Sequence, residues 1–394
     1  TTDGIVSIDG PVTLDTAAVS VTTANDAITF NHTIDGAQTL TLVSGTATTT
    51  LSGNIGAATA LTGLTITNGT ANGTITFGGD IGDGSGAGVT GVTAVGNTNT
   101  ADLNFNSTIY SFDGATTITA ASGDTIDIAA GAATTFTTAA DNITFATGNI
   151  ELANGSNLTV DTGATGGNIT IGEIAGTSVE TVTLDAGSGT TSVGVIGTGT
   201  EIGVVSIGSA ENGGITLNGA ITTDGAVTID GPVTLATGAI SVTTANDAIT
   251  FNHTIDGGQA LTLVSGTAAT TISGDIGAGT ALTGLTITNG TANGTITFGG
   301  DIGDGSGAGV TGVTAVGNTN TADLNFNSTI YSFDGATTIT AASGDTIDIA
   351  AGAATTFTTA ADNITFATGN IELANGSNLT VDTGATGGNI TIGE

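Results

Sequence analysis

Residues 26–43 read DAITFNHTIDGAQTLTLV, and the reading of that stretch decides the fold. Ile28-Thr29-Phe30 and Leu40-Thr41-Leu42 each place two apolar side chains around a small polar one, the two-residue period of a strand with one buried face. Asp35-Gly36 between them supplies a turn, since Gly takes positive φ without steric cost and Asp tolerates its neighbourhood. The same pulse runs outward both ways, through Val6-Ser7-Ile8, Val12-Thr13-Leu14 and Val19-Ser20-Val21 on one side. On the other it continues through Leu64-Thr65-Ile66, Ile75-Thr76-Phe77, Leu103-Asn104-Phe105 and Ile126-Asp127-Ile128. Asn-Gly and Asp-Gly steps punctuate it at Asn72-Gly73, Asp113-Gly114 and Asn154-Gly155. β-branched Thr, Val and Ile disfavour helix throughout, and only the Ala-rich stretch from Ala129 to Ala140 leaves the choice open.

The chain repeats itself. IDGPVTL at Ile8 to Leu14 recurs at Ile229 to Leu235, and in the same register residues 1–173 differ from 222–394 at only 11 positions. All 11 lie between Ile5/Ala226 and Ala58/Gly279. The organisation is therefore one full repeat, 1–221, followed by a second copy, 222–394, equivalent to 1–173. The expectation is a slice of a longer tandem array.

Two architectures use short, evenly spaced strands: a β-solenoid and a string of β-sandwiches. Sandwich cores rest on bulky aromatics, yet aromatic residues make up 4% of this chain. The reading is an all-β, elongated parallel β-helix, or β-solenoid, with about 20 residues per coil if two strands make a coil. A repeat would then hold about 11 coils and advance about 53 Å.

Composition excludes whole classes of function. The formal charge is −34 with no Lys, Arg, Cys, Met or Trp. Phosphate clamps and attraction to nucleic acid need cationic side chains, so neither is available. No run of apolar residues is long enough for a membrane span, so no membrane insertion is expected. Neither a catalytic triad nor a thiolate site can be assembled from two His, His32 and His253, that are the same repeat position. Carboxylate-only glycoside hydrolysis remains chemically open, but basic residues to hold an acidic substrate are missing. The chain is read as non-enzymatic, with no cofactor other than calcium or another divalent cation.

The stretch DAITFNHTIDGAQTLTLVSGTATTTLSGNIG at Asp26 to Gly56, with ALTGLTITNGT after it, resembles the repeat regions of filamentous-haemagglutinin-like and other giant bacterial surface proteins. The resemblance rests on rhythm and composition over the whole chain. It implies a right-handed parallel β-helix on the cell exterior, serving adhesion, a sheath or a filament.

Several residues are candidates for more specific work. Gly78 to Gly84, reading GGDIGDG, partly matches a calcium-binding nonapeptide, with Ile81 where Gly is expected. Oxygen-only ligands suit Ca²⁺, which nominates Asp80, Asp83, Asp124 and Asp127 with their copies Asp301, Asp304, Asp345 and Asp348; plain turns are the competing reading. The 19 acidic residues of each repeat would also hold divalent cations diffusely, since their spacing falls within a Debye length of about 8 Å. Phe105, Tyr110 and Phe112, with Phe326, Tyr331 and Phe333, form an aromatic concentration that reads either as a lateral contact patch or as the filling of a wider coil. Asn31, Asn68, Asn72, Asn106, Asn142, Asn154, Asn157 and Asn168 open Asn-x-Ser/Thr sequons, which would place glycans on outer faces.

The leading expectation is a structural segment of an extracellular filament, sheath or surface stalk that self-associates laterally or end to end. The alternative is a surface adhesin or binding module using the outer Thr/Asn faces. Ice binding through rows such as Thr65-Ile66-Thr67 is one variant; uneven triplet spacing argues against the regular rows it needs.

Overall fold

The computed structural model describes residues 1–69, 72–177, 179–210, 213–290 and 293–393. It forms two compact units, one of residues 1–202 with 211–213 and the other of residues 203–210 with 214–394.

Each unit is a parallel β-solenoid. In the first, one wall stacks Val6–Ile8, Ile28–Phe30, Thr49–Leu51, Gly73–Phe77, Thr100–Phe105, Thr125–Ile128 and Asn149–Leu152, every neighbouring pair parallel. A second wall carries Ile109–Ser111, Thr134–Thr137, Leu158–Asp161 and Thr181–Asp185. A third carries Val19–Thr22, Thr39–Val43, Gly63–Thr67, Thr93–Gly96, Thr116–Thr119 and Ile143–Thr147. Three walls, not two, make a coil. Eight register steps carry the first wall from Val6 to Ile196. The mean coil is therefore somewhat longer than the two-strand estimate, the third strand taking up the difference. Thr134–Thr137 is a strand, which resolves the Ala-rich stretch in favour of sheet.

The second unit repeats the plan. Ile296, Leu324 and Ile347 succeed one another in register as Ile75, Leu103 and Ile126 do in the first unit. Alternation is the cause: inward residues of the triplets are buried while the middle residue stays half-exposed, as in Ile28–Phe30 and Ile249–Phe251. Ile34, Ile55, Ile81, Tyr110, Phe136, Val160 and Leu184 form one continuous interior row, each no more than 1% exposed. Burying each such side chain is worth about 1.5–3 kcal/mol, so the stacked rows supply the main driving force. Five inward hydroxyls, of Thr49, Thr93, Thr191, Thr270 and Thr314, have no hydrogen-bond partner among the described residues; no structural role for them is apparent.

Coil length varies without disturbing the walls. Ile28 pairs with Thr49 across a short coil, whereas Leu64 pairs with Thr93 across a considerably longer one. The extra residues leave at the corners. Ile55, Ile81 and Tyr110 stack as one station and Leu61, Val89 and Phe112 as the next, although the two stations lie six, eight and two positions apart in successive coils. Around the longest link, Gly82 and Gly84 take φ of +86° and +80°, and the Gly88 N–H returns the chain to the Ser111 carbonyl at 2.8 Å.

The last described coil of the second unit differs from its counterpart. Leu373, Ile390 and Ile392 are 51%, 47% and 56% exposed, while the equivalent Leu152, Ile169 and Ile171 are 2%, 0% and 2% exposed. In the first unit Ile169 and Ile171 lie beside Thr191 and Val193 of the following strand.

Candidate functional site

The aromatic concentration is interior, which corrects its reading as a surface contact patch. Phe105, Tyr110 and Phe112 are 0%, 0% and 2% exposed, as are Phe326, Tyr331 and Phe333 in the second copy. Phe77 and Phe105 stack at 5.1 Å, Phe105 meets Tyr110 edge-on at 4.8 Å, and Tyr110 stacks on Phe136 at 4.8 Å. The physical reason is register: Phe105 lies beside Phe77 and Tyr110 beside Phe136 in inward strand positions, so the rings stack on one another and fill the interior. The Tyr110 hydroxyl accepts the Ser107 N–H at 3.0 Å, and burial, with Asp80 nearby, holds its phenol above the ordinary range.

The nominated aspartates go to separate tasks. Asp80 Oδ1 accepts the Ser107 hydroxyl at 2.6 Å and the N–H groups of Thr108 and Ile109 at 3.2 and 3.0 Å, fastening the aromatic coil to the one before. Asp301 does the same for Ser328, Thr329 and Ile330. Asp83 instead closes its own turn on the Ser85 N–H and hydroxyl, at 2.8 and 2.7 Å, and those bonds hold its carboxyl below the usual range. Asp304 turns likewise onto Ser306, with its carboxyl lowered by the same cause. Asp124 and Asp345 sit in turns whose N–H groups reach Ala121 and Ala342. Asp127 lies on the outer face, where burial and neighbouring Asp102 push its carboxyl above the ordinary range despite the Thr125 hydroxyl.

Among the described residues, no three His, Cys, Asp or Glu side chains come together as a metal cage. What the register does create is rows of like charge. Asp127 is paired with Glu151, Asp348 with Glu372, and Asp161 with Asp185, and like charges directly opposite one another destabilise a sheet. An open hollow of about 440 Å³ beside the first row is lined by Asn104, Asp127, Glu151 and Thr177 among others.

The sequons divide by exposure. Asn31, Asn72, Asn106, Asn142, Asn154 and Asn168 are exposed and Asn157 is half-buried. Asn68 is fully buried and so corrects the expectation of a glycan there; its Thr70 lies outside the described residues. Its Nδ2 donates to the Ser44 hydroxyl and the Ala47 carbonyl at 2.9 and 3.1 Å, and its Oδ1 accepts the Thr100 hydroxyl at 2.9 Å. Asn289 repeats the network with Ser265, Ala268 and Thr321. A polar side chain inside a corner is tolerated because all its groups are satisfied.

The two copies of the histidine position differ. His253 Nε2 approaches Asp230 Oδ1 at 3.2 Å, while the equivalent Asp9 accepts Asn31 Nδ2 at 2.5 Å and His32 is exposed.

The sequence reading missed Glu180. It is fully buried in a chain without Lys or Arg, and it is satisfied entirely by uncharged donors. Oε2 accepts the N–H groups of Thr177 and Val179 at 2.7 and 3.2 Å; Oε1 accepts the Thr177 hydroxyl at 2.5 Å and the Gly155 N–H at 3.2 Å. Burial alone would raise its pKa, but the hydrogen bonds from Thr177 and Gly155 outweigh it and bring it down to about 2. The available signal was the Thr-x-x-Glu spacing, which elsewhere marks a carboxylate folding back onto backbone N–H groups.

No family model, curated protein or solved structure matches the chain. Among the described residues no helix is long and apolar enough to cross a membrane. The chain is a repetitive β-solenoid scaffold whose polar clusters serve the fold.

Proposed function

We propose that the chain is a structural segment of an extracellular filament, sheath or surface stalk, of the kind built by giant bacterial surface proteins. The observation that carries the reading is that two copies of one long sequence reproduce the same interior rows and the Asp80/Asp301 and Asn68/Asn289 fasteners. A ligand-binding domain would spend some of its surface on a site of distinct chemistry; here the distinctive residues are consumed in holding coils together. Function then resides in length, stiffness and surface charge, and self-association with neighbouring chains completes the assembly.

Divalent cations belong to that reading as diffuse counter-ions. In-register rows such as Asp127–Glu151 repel across about 4.8 Å, and ions condensed along them would relieve the repulsion within a chain and bridge between chains. Electron microscopy with and without a chelator tests both parts. The expected result is fibres with an axial period of about 44 Å, from about nine coils per sequence repeat, which fray on chelation. Isolated globular particles would sink the filament reading.

A second reading, a binding module on the outer Thr face, is favoured by one observation. Ser20, Thr41, Thr65, Ala94, Thr117, Thr144, Thr170 and Ser192 stand in a single outward row in register. Uneven triplet spacing does not break the row, because the corners absorb it. Ice binding by this face predicts measurable thermal hysteresis, and a flat freezing curve would remove it.

A further inference from the structure

Corners of unequal length leave a hollow that recurs in each copy. The coil through Tyr110 reaches Phe112 in two positions, whereas the coil before it takes eight from Ile81 to Val89. Beside this step lies an open hollow of about 390 Å³, lined among others by Ala87, Ser111, Phe112, Asp113, Thr137 and Ala139. Its copy, of about 400 Å³, lies between Ala308, Phe333, Asp334 and Ala360. The floor is apolar, for Phe112 and Phe333 are each 2% exposed, and the paired alanines stand at the edges. Asp113 and Asp334 are exposed and carry the only charge in either lining. Among the described residues neither carboxylate is engaged in a side-chain hydrogen bond or an ion pair. The Thr137 hydroxyl donates to the Ser111 hydroxyl at 3.1 Å, and Thr358 to Ser332 likewise, so both oxygens keep lone pairs for a further donor.

We propose that each hollow is a docking site for a lysine side chain of a partner protein. The methylene stem lies against Phe112, Ala87 and Ala139, as long cationic side chains do on apolar surface. The ammonium then meets the Asp113 carboxylate and the Ser111 and Thr137 hydroxyls, which match its three donors. The cation has to come from a partner, because this chain has no Lys or Arg and a net charge of −34. That charge also steers a basic surface towards the hollow. Calcium is a poorer match, since it takes about six to eight oxygen ligands and the lining holds one carboxylate. A sugar ring is a poorer match too, because Phe112 is buried and offers no open face for stacking. Lysine suits the site better than arginine: a compact point charge can be shared between one carboxylate and two hydroxyls, whereas a planar fork is built for bidentate pairing. The hollow takes this group whether or not the chains form fibres.

The test is a titration of the full chain with N-α-acetyl-lysine amide, followed by backbone amide chemical shifts. N-α-acetyl-norleucine amide supplies the same stem without the charge. Saturable shifts are expected at Ser111 to Asp113 and Thr137 to Ala139, and at their copies, with the norleucine probe binding about tenfold more weakly, or ~1.4 kcal/mol. Because the whole surface is acidic, charge is removed in two places. Asp113→Asn with Asp334→Asn empties both hollows of charge, while Asp3→Asn with Asp224→Asn removes as much from exposed positions outside them. Only the first pair should weaken the lysine probe, by about tenfold. All four carboxylates are exposed, so the fold should hold, and unchanged circular dichroism checks that it does. Equal weakening by the two pairs, shifts spread over the acidic faces, or no saturable shift at the hollow would each overturn the proposal; the first two would mean that lysine is held only as a diffuse counter-ion.

Discussion

Phe105→Ala should lower the stability of the coils around it by about 3–5 kcal/mol, the usual cost of deleting a buried ring. The ring is fully buried and contacts three others, Phe77, Tyr110 and Phe136. Neighbouring walls are held at fixed strand spacing by their own hydrogen bonds, so they cannot collapse into the space left, and the cavity term is felt in full. In a solenoid each coil touches only its neighbours, so the loss should be local. Hydrogen exchange is the suitable measurement: amides of Gly73–Phe77 and Thr125–Ile128 should lose protection while those of Val19–Thr22 keep theirs. A cost below about 1 kcal/mol would mean that the ring is not packed inside the coil.

Glu180→Ala should cost about 2–3 kcal/mol, because it takes a charged acceptor away from the part-buried N–H groups of Gly155, Thr177 and Val179. The effect has a pH signature. Glu180 falls from an ordinary value of 4.5 to about 2 in the folded chain, so between those limits the unfolded chain binds more protons than the folded one. Its stabilisation is therefore complete above about pH 5 and disappears as pH falls towards 2. Asp127 has the opposite sign: its raised carboxyl means that protonation on acidification favours the folded chain. Comparing thermal unfolding of Glu180→Gln with the parent from pH 7 to pH 2 isolates the first contribution. The gap between the two should shrink as pH drops, and a constant gap would show that the carboxylate charge is not what holds the turn.

How much of this was legible in the sequence depended on which residues carried the signal. The triplets announced themselves, because apolar–polar–apolar alternation is imposed by the strand itself and Ile28-Thr29-Phe30 reads the same in any context. The number of walls did not, since it is set by corners whose Gly-rich links have no period. Asn68 looked like a surface sequon because its three partners, Ser44, Ala47 and Thr100, are distant in sequence. Phe105 and Tyr110 were ambiguous for a related reason: a bulky residue in a chain of small ones signals either an exposed anchor or an interior filling, and only the register with Phe77 and Phe136 decides. Glu180 was hidden by its company, since one more acid among so many carried no contrast.

The corner that joins Ile55 to Leu61, Ile81 to Val89 and Tyr110 to Phe112 has one further consequence. The same two interior stations are bridged by links of different length in three successive coils, so link length is nearly free while station identity is not. Insertions and deletions can accumulate there over evolutionary time without shifting any strand by a residue. The walls fix which residues must be apolar, and the corners are where surface can change at little risk to the fold.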